Sequence, residues 1–355
     1  MLSLSLLKIF LPSIMAFFIG IFSSPFLSDF LYKNKMWKKK AKTVAPDGQG
    51  TPIFNQIHFE KETNTPRMGG VLIWVSIIVT TIVFWLVAHL FPFAGKIDFL
   101  SRSQTWIPLA VLLLGAIIGL VDDYLEIEGK GGNLAGGLSL RKRLFLVAII
   151  AFFVSLWFYF KLQVSSIGLP FGFSNFELGW LFIPFFIIVM LAVYSGGVID
   201  GIDGLSGGIF ASIFSGYAMI AFLQNQIDIS ALCAVIVGGI LAFLWFNIPP
   251  ARFYMSETGS MALTITLVVI AFMTDAVGEG HGVIALPIIA LPLLITSASV
   301  IIQLLSKKFR GKKVFLVAPL HHHFEALGWP ASKITMRYWI VGIIFTLFGV
   351  IFALL

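Results

Sequence analysis

Val198-Ile199-Asp200-Gly201-Ile202-Asp203-Gly204-Leu205 lies between two long apolar runs, residues 181–194 before it and 209–223 after it. Two carboxylates and two glycines in such a setting are odd for a soluble core. In a membrane protein they carry a meaning, because ionisable groups at membrane depth are costly and mark substrate or ion sites. Spacing i, i+3 would put both carboxylates on one face of a helix, and the glycines would let backbone N–H groups approach an anion. A solvated turn joining two helices would use the same residues. The rest of the chain has to decide between them.

Composition decides the solvent. Of 355 residues, 58% are hydrophobic, 36 are Phe and only 12% are charged, and the mean hydropathy is strongly positive. An ordinary soluble chain carries about twice that charge. Apolar stretches of about 17–25 residues are long enough to cross a bilayer as helices, and they do not alternate as membrane strands would. The expected fold is therefore all-α: one polytopic membrane domain over residues 1–355. The single cysteine, Cys233, lies in an apolar run, so no disulfide framework exists. The first apolar segment has no clear small-residue cleavage site and is expected to be a retained span.

Ten spans are expected, at about 5–27, 68–91, 105–121, 143–162, 180–195, 208–224, 231–246, 260–273, 283–305 and 336–355. An even number puts both termini on one side. Loops after odd-numbered spans, with their flanks, hold 20 of the 24 basic residues; the opposite side keeps Lys8, Lys96, Arg102 and Lys161. By the positive-inside rule the odd loops face the cytoplasm and both termini face out.

On that map the outer loops carry scattered single acids: Asp98, Glu177, Asp228, Asp275 and Glu279. The inner side collects Asp122 and Asp123, Asp200 and Asp203, Glu257, and the run His321-His322-His323. A site built from inter-helix loops requires such a shared face. No internal repeat is visible, and the only low-complexity piece, 129–137, reads as a flexible inner loop.

Four motifs stand out. Asp122-Asp123-Tyr124 closes an apolar span, where the helix macrodipole disfavours negative charge; neighbours about 100° apart on a helix suit two different roles. Phe243-Leu244-Trp245-Phe246-Asn247 leads into Pro249-Pro250, which stops the helix, then into Arg252, Tyr254, Ser256 and Glu257. There Arg252 could pair with phosphate, Tyr254 stack on a base and Glu257 bind a cation, or Ser256 and Glu257 could simply start the next helix. Pro319-Leu320-His321-His322-His323-Phe324-Glu325 cannot present all three imidazoles to one metal from a regular helix. Thr65-Pro66-Arg67-Met68-Gly69-Gly70 suggests tight helix packing or backbone approach to a ligand. No Walker-type loop, dinucleotide fingerprint or zinc spacing is present.

Taken in order, these motifs resemble the phospho-N-acetylmuramoyl-pentapeptide-transferase family, within the polyprenyl-phosphate N-acetylhexosamine-1-phosphate transferase superfamily. The resemblance runs from His58-Phe59 through Leu355. It rests on Thr65-Pro66 with Met68-Gly69-Gly70, Asp122-Asp123-Tyr124, Asp200 to Leu205, Phe243 to Asn247, and Ala318-Pro319 with His321-His322-His323 and Glu325. The aspartate motifs belong to the whole superfamily, the triple histidine to the muramoyl-pentapeptide branch.

The resemblance implies transfer of phospho-N-acetylmuramoyl-pentapeptide from its UDP-linked precursor to undecaprenyl phosphate, giving lipid I and UMP, with Mg²⁺ as cofactor. It implies a multi-pass protein of the bacterial inner membrane with its site facing the cytoplasm. The partners are the two substrates and the bilayer, with no nucleic acid and a homodimer as a candidate assembly. Asp122, Asp123, Asp200, Asp203, His321, His322 and His323 match the family's catalytic positions. Its metal-binding aspartate falls at Glu257, with at least one of Asp200 or Asp203, Asp200 first, as the expected second ligand. Lys61, Asn247 and Tyr254 fall in the uridine pocket, Gly201 against the phosphates, and Arg141 among the basic residues that draw in phosphorylated substrates. The family usually has Gly-Asp-Val-Gly-Ser where this chain has Ser256-Glu257-Thr258-Gly259-Ser260, asparagine at Gly197 and threonine at Arg67. Three alternatives remain at this stage: a sister enzyme moving N-acetylglucosamine-1-phosphate, a transporter with a buried carboxylate pathway, and an inactive, regulatory relative. A transporter would carry its ionisable residues near mid-span.

Overall fold

A computed structural model describes residues 2–39, 63–130, 136–173, 175–276 and 281–355. Lys61, and residues 131–135 of the glycine-rich loop, lie outside the described residues.

The described chain is almost wholly helical. Its α-helices are α1 (Leu2–Lys33), α2 (Val71–Leu90), α3 (Trp106–Ile127), α4 (Leu140–Leu156), α5 (Phe182–Ser195), α6 (Leu205–Leu223), α7 (Ile227–Asn247), α8 (Ser256–Ala276), α9 (Gly282–Ile289), α10 (Leu291–Arg310), α11 (Leu320–Ala326) and α12 (Ala331–Ala353). Ten helical segments are long and apolar enough to cross a membrane, as expected for an all-α polytopic protein. The two strands, β1 (Ser166–Ile167) and β2 (Phe176–Glu177), form a short antiparallel ribbon between α4 and α5.

The ninth span departs from expectation. In place of one helix over 283–305, the chain breaks at Ala290 into α9 and α10, with Pro287 inside the first and Pro292 opening the second. Pro292 has no N–H to give and its ring crowds the preceding turn, so the spanning segment becomes 291–310. The third span is also longer, running to Ile127 and placing Asp122 and Asp123 inside its last two turns.

α8 is the hub: nearly all of it is buried, against about a fifth of α1 and α12. α3 packs along it through glycines; a Cβ on Gly119 would run into the Glu257 carbonyl, and one on Gly115 would come 2.9 Å from the Ala262 Cα. Small residues of this kind let membrane helices approach to backbone distance. Farther along α8, Phe272 is ringed by Phe158, Phe182 and Phe186, which ties α5 and the helical turn that continues α4 (Trp157–Lys161) to it.

At one end of the bundle Lys8 of α1 pairs with Asp228 of α7, and the Phe171 N–H donates to the Leu355 carbonyl. Both termini therefore sit at the end of the even-numbered loops. The odd-numbered loops, with the clustered acids and the histidines, gather at the other.

Candidate active site

The site is assembled on the first turn of α8. A helix start leaves N–H groups without intrahelical partners, and here two carboxylates from distant parts of the chain take three of them. The Asp123 carboxylate accepts the Glu257 N–H (3.2 Å) and the Thr258 N–H (2.9 Å), together with the Thr258 hydroxyl (2.6 Å). Asp200 accepts the Ser256 N–H (2.8 Å) with one oxygen and the Ser206 hydroxyl (2.7 Å) with the other. Negative charge at a helix N-terminus is favourable, which offsets the cost of burying these groups. The half-buried Asp200 lies between two spans, and burial raises its pKa above the ordinary carboxylate range against the pull of Ser206 and the Ser256 N–H.

Asp122 and Asp123 divide their roles, as their 100° separation on α3 suggests. While Asp123 caps α8, Asp122 accepts the Leu138 N–H and lies 3.5 Å from an Arg143 nitrogen. The same Arg143 nitrogen pairs with Glu257, whose second oxygen is 3.5 Å from the Tyr194 hydroxyl. Arg143 thus joins Asp122 to Glu257. Behind them Glu126 pairs with Arg67 (2.8 Å) and Lys38 (3.0 Å). These cations offset the negative charge near the C-terminus of α3.

The Asp200–Gly204 turn is clamped from two sides. Asp203 is buried and accepts the Ala251 N–H at 3.3 Å. Gly204, at φ +76°, donates its N–H to the Asn247 amide oxygen, and the Asn247 NH₂ donates to the Phe253 carbonyl. Trp339 of α12 donates to the Gly204 carbonyl. Gly201 faces the histidine helix: a Cβ there would collide with His321 and come within 2.8 Å of His322 Nε2.

The histidine run splits. His321 and His322 are buried against Gly201, and His322 Nδ1 is 2.6 Å from Glu325. His323 turns the other way, where its Nδ1 accepts the Leu316 N–H. Gly69 and Gly70 serve backbone approach, donating their N–H groups to the Tyr254 and Met255 carbonyls.

Among the expected residues, the structure brings Asp122, Asp123, Asp200 and Glu257 to the head of α8, with His321 and His322 next to Gly201 on the Asp200 turn. Asn247 spends both ends of its amide on the fold. Tyr254 is half-buried beside these loops, and Arg141 is exposed two residues from the cation that meets the acids. Sequence reasoning missed Arg143, Tyr194 and Thr258. Only the spacing of Arg143 from Arg141, about 200° round α4, could have separated the two arginines, and it required knowing which face of α4 meets α8.

The donor chemistry suits a hard cation. Carboxylate oxygens from Glu257 and Asp200 stand on consecutive residues of one helix start, by covalent linkage and by hydrogen bond. Among the described residues no three acidic, histidine or cysteine side chains form a ready-made cage. Carboxylate oxygens at one helix start are ligands of the kind Mg²⁺ takes, one or two at a time, with phosphates and water completing its shell.

A family model described as glycosyl transferase family 4 matches residues 105–275, the stretch from α3 through α8. The chain is 33% identical over 340 residues to the phospho-N-acetylmuramoyl-pentapeptide-transferase of Bacillus licheniformis, covering 95% of each chain. It is 33% identical over 342 residues to that of Bacillus subtilis, again covering 95% of each. To that of Geobacillus thermodenitrificans it is 34% identical over 340 residues, covering 94% of each.

Proposed function

The chain belongs to the phospho-N-acetylmuramoyl-pentapeptide-transferase family, and on that premise we propose that it transfers phospho-N-acetylmuramoyl-pentapeptide from its UDP-linked precursor to undecaprenyl phosphate. An oxygen of the lipid phosphate attacks the sugar-linked phosphorus, the bond between the two phosphates breaks, and UMP leaves with the electron pair. The products are lipid I and UMP.

The observation that carries this reading is the convergence of Asp123 and Asp200 on the head of α8, which sets Glu257 against Asp122 and Arg143. Such phosphoryl transfers rest on positioning and charge neutralisation more than on covalent chemistry by the protein. Glu257 and Asp200 would hold Mg²⁺, which neutralises the diphosphate and polarises the phosphoryl oxygen. Arg143 offers a planar fork of donors suited to phosphate oxygens. Asp122, fixed by the Leu138 N–H, orients the incoming nucleophile. A phosphate monoester has a second pKa of about 6 and is mostly dianionic at neutral pH, so little base help is needed. His321 and His322 complete the wall beside Gly201, and Tyr254 lines the nucleoside side.

The bias of basic residues toward the site's end supports a bacterial inner-membrane protein with this end in the cytoplasm. A homodimer is proposed on the family resemblance alone, and light scattering of the detergent-solubilised protein tests it.

The experiment is exchange of radiolabelled UMP into the UDP-sugar by purified protein, with and without Mg²⁺, with UDP-N-acetylmuramoyl-pentapeptide and UDP-N-acetylglucosamine compared. Exchange with the muramoyl nucleotide alone, dependent on Mg²⁺, is expected. Exchange with UDP-N-acetylglucosamine would move the chain to the sister activity, and no exchange with either would overturn the enzyme reading.

A further inference from the structure

α10 is amphipathic in the inverse sense for a membrane helix. Its outward side shows Ile301, Ile302, Leu304, Leu305 and Phe309, whereas Ser299, Gln303 and Ser306 are buried inside the protein. Their spacing of four and three residues puts them on one face. Polar side chains at such a place need partners, and these find them in one segment.

After Gly311, in the left-handed region at φ +63°, the chain reverses and runs back along α10 to the histidine helix. This return segment, 312–319, has no regular structure of its own, so its backbone groups need outside partners. Gln303 supplies three of the bonds. Its amide oxygen accepts the Val314 N–H (3.0 Å) and the Phe315 N–H (2.9 Å), and its NH₂ donates to the Phe315 carbonyl (2.9 Å). One buried side chain thus does for the loop what a neighbouring strand would do. Ser306 donates to the Lys312 carbonyl at one end, and Ser299 accepts the Leu320 N–H at the other (both 2.9 Å). Leu320 is the first residue of α11, directly before His321 and His322. Phe315 and Leu316 also take His323 away from the site, by ring contact and by hydrogen bond.

We propose that Gln303 is a positioning residue: through its three bonds to Val314 and Phe315 it fixes the return segment and so docks His321 and His322 against Gly201. Its effect on turnover rests on the function proposed above; its effect on docking does not.

The test uses the full-length purified protein and the variants Gln303→Leu and Gln303→Glu. Glutamate keeps an oxygen acceptor for the two N–H groups, loses the donor to Phe315 and turns a carboxylate oxygen toward that carbonyl. Carbethoxylation of histidines by diethyl pyrocarbonate, read residue by residue by mass spectrometry, reports docking without turnover. His321 and His322 are expected to label several-fold faster in Gln303→Leu than in the parent, with Gln303→Glu between them and exposed His89 unchanged in all three. In the transferase assay Gln303→Leu is expected to lose about 10–100-fold in kcat with KM for the nucleotide within about threefold, the size of effect that a small misplacement produces. Parent-like labelling and kcat in Gln303→Leu would overturn the proposal. If Gln303→Leu does not fold, Gln303→Glu with labelling and kcat identical to the parent does the same. Faster labelling in a series that never turns over, parent included, would leave the docking role standing and remove the transferase reading.

Discussion

One carboxylate oxygen of Asp123 accepts both the backbone N–H and the hydroxyl of Thr258, at 2.9 and 2.6 Å. An aspartate read from sequence as catalytic is thereby the cap of the helix that carries Glu257. Replacing it should cost stability as well as activity. Asp123→Ala leaves buried N–H groups without partners, a loss of about 1–3 kcal/mol, and should lower the unfolding temperature in detergent. Thr258→Val removes only the hydroxyl bond and should cost about 1 kcal/mol. Equal unfolding temperatures for parent and Asp123→Ala would refute the capping role.

Arg143 faces two acids at once, so its removal should hurt more than the loss of one ion pair suggests. Arg143→Met leaves Asp122 and Glu257 repelling each other in a half-buried site. Adding Glu257→Gln should restore part of the stability, with a coupling of about 1–2 kcal/mol in a double-mutant cycle of thermal unfolding. Strict additivity of the two changes would show that the pair carries no energy.

Asp200 gives a prediction in pH. Burial raises its native pKa, so the folded state holds the proton more tightly than the unfolded chain does. That contribution is fully present below the unfolded pKa and is lost as pH rises through the higher native value. Asp200→Asn cannot lose it. The unfolding temperature of Asp200→Asn minus that of the parent should therefore grow from acid toward neutral pH, even as turnover is abolished. A difference that shrinks as pH rises would contradict the sign.

Gly201 is required for room, not for backbone freedom, because its φ is not in the left-handed region. Alanine at such a position would ordinarily be neutral or stabilising through the unfolded chain. Here its methyl must displace His321 and His322, and kcat should fall by about 10–100-fold. Parent-like kcat in Gly201→Ala would show that the histidines do not need that contact.

Much of this was legible in the residues. Chain-wide hydropathy and the 20-to-4 split of basic side chains gave ten spans and put the clustered acids on one side, because those signals depend only on local composition. Asp200 and Asp203 fall on a turn between α5 and α6 rather than on a helix face as their i, i+3 spacing suggested, and they bond to different segments, Asp200 to Ser256 and Ser206 and Asp203 to Ala251. Other features needed packing. Nothing local tells Arg141 from Arg143; the rotation of α4 against α8 decides it. Pro287 and Pro292 lie inside what was expected as one span over 283–305; the break at Ala290 was missed because a proline in a membrane helix is as readily absorbed as a kink. The triple histidine was expected not to act as one unit, and a short helix does turn its third member onto Leu316, but which member leaves the site was not readable from the residues. Ser299, Gln303 and Ser306 were not singled out from the sequence, because the meaning of that polar stripe depends on a loop folding back over it.

On the function proposed above, Glu257, held at the head of α8 with Arg143 between it and Asp122, supplies the negative charge that would hold Mg²⁺ on the nucleotide's diphosphate. The most direct test of that role is lipid I formation as a function of Mg²⁺ concentration for the parent and Glu257→Gln. A saturable Mg²⁺ requirement is expected in the parent, with a loss of about 10²–10³-fold in kcat in Glu257→Gln, the size typical of removing one transition-state-stabilising group. A Glu257→Gln protein with the parent's rate and the parent's Mg²⁺ dependence would contradict it.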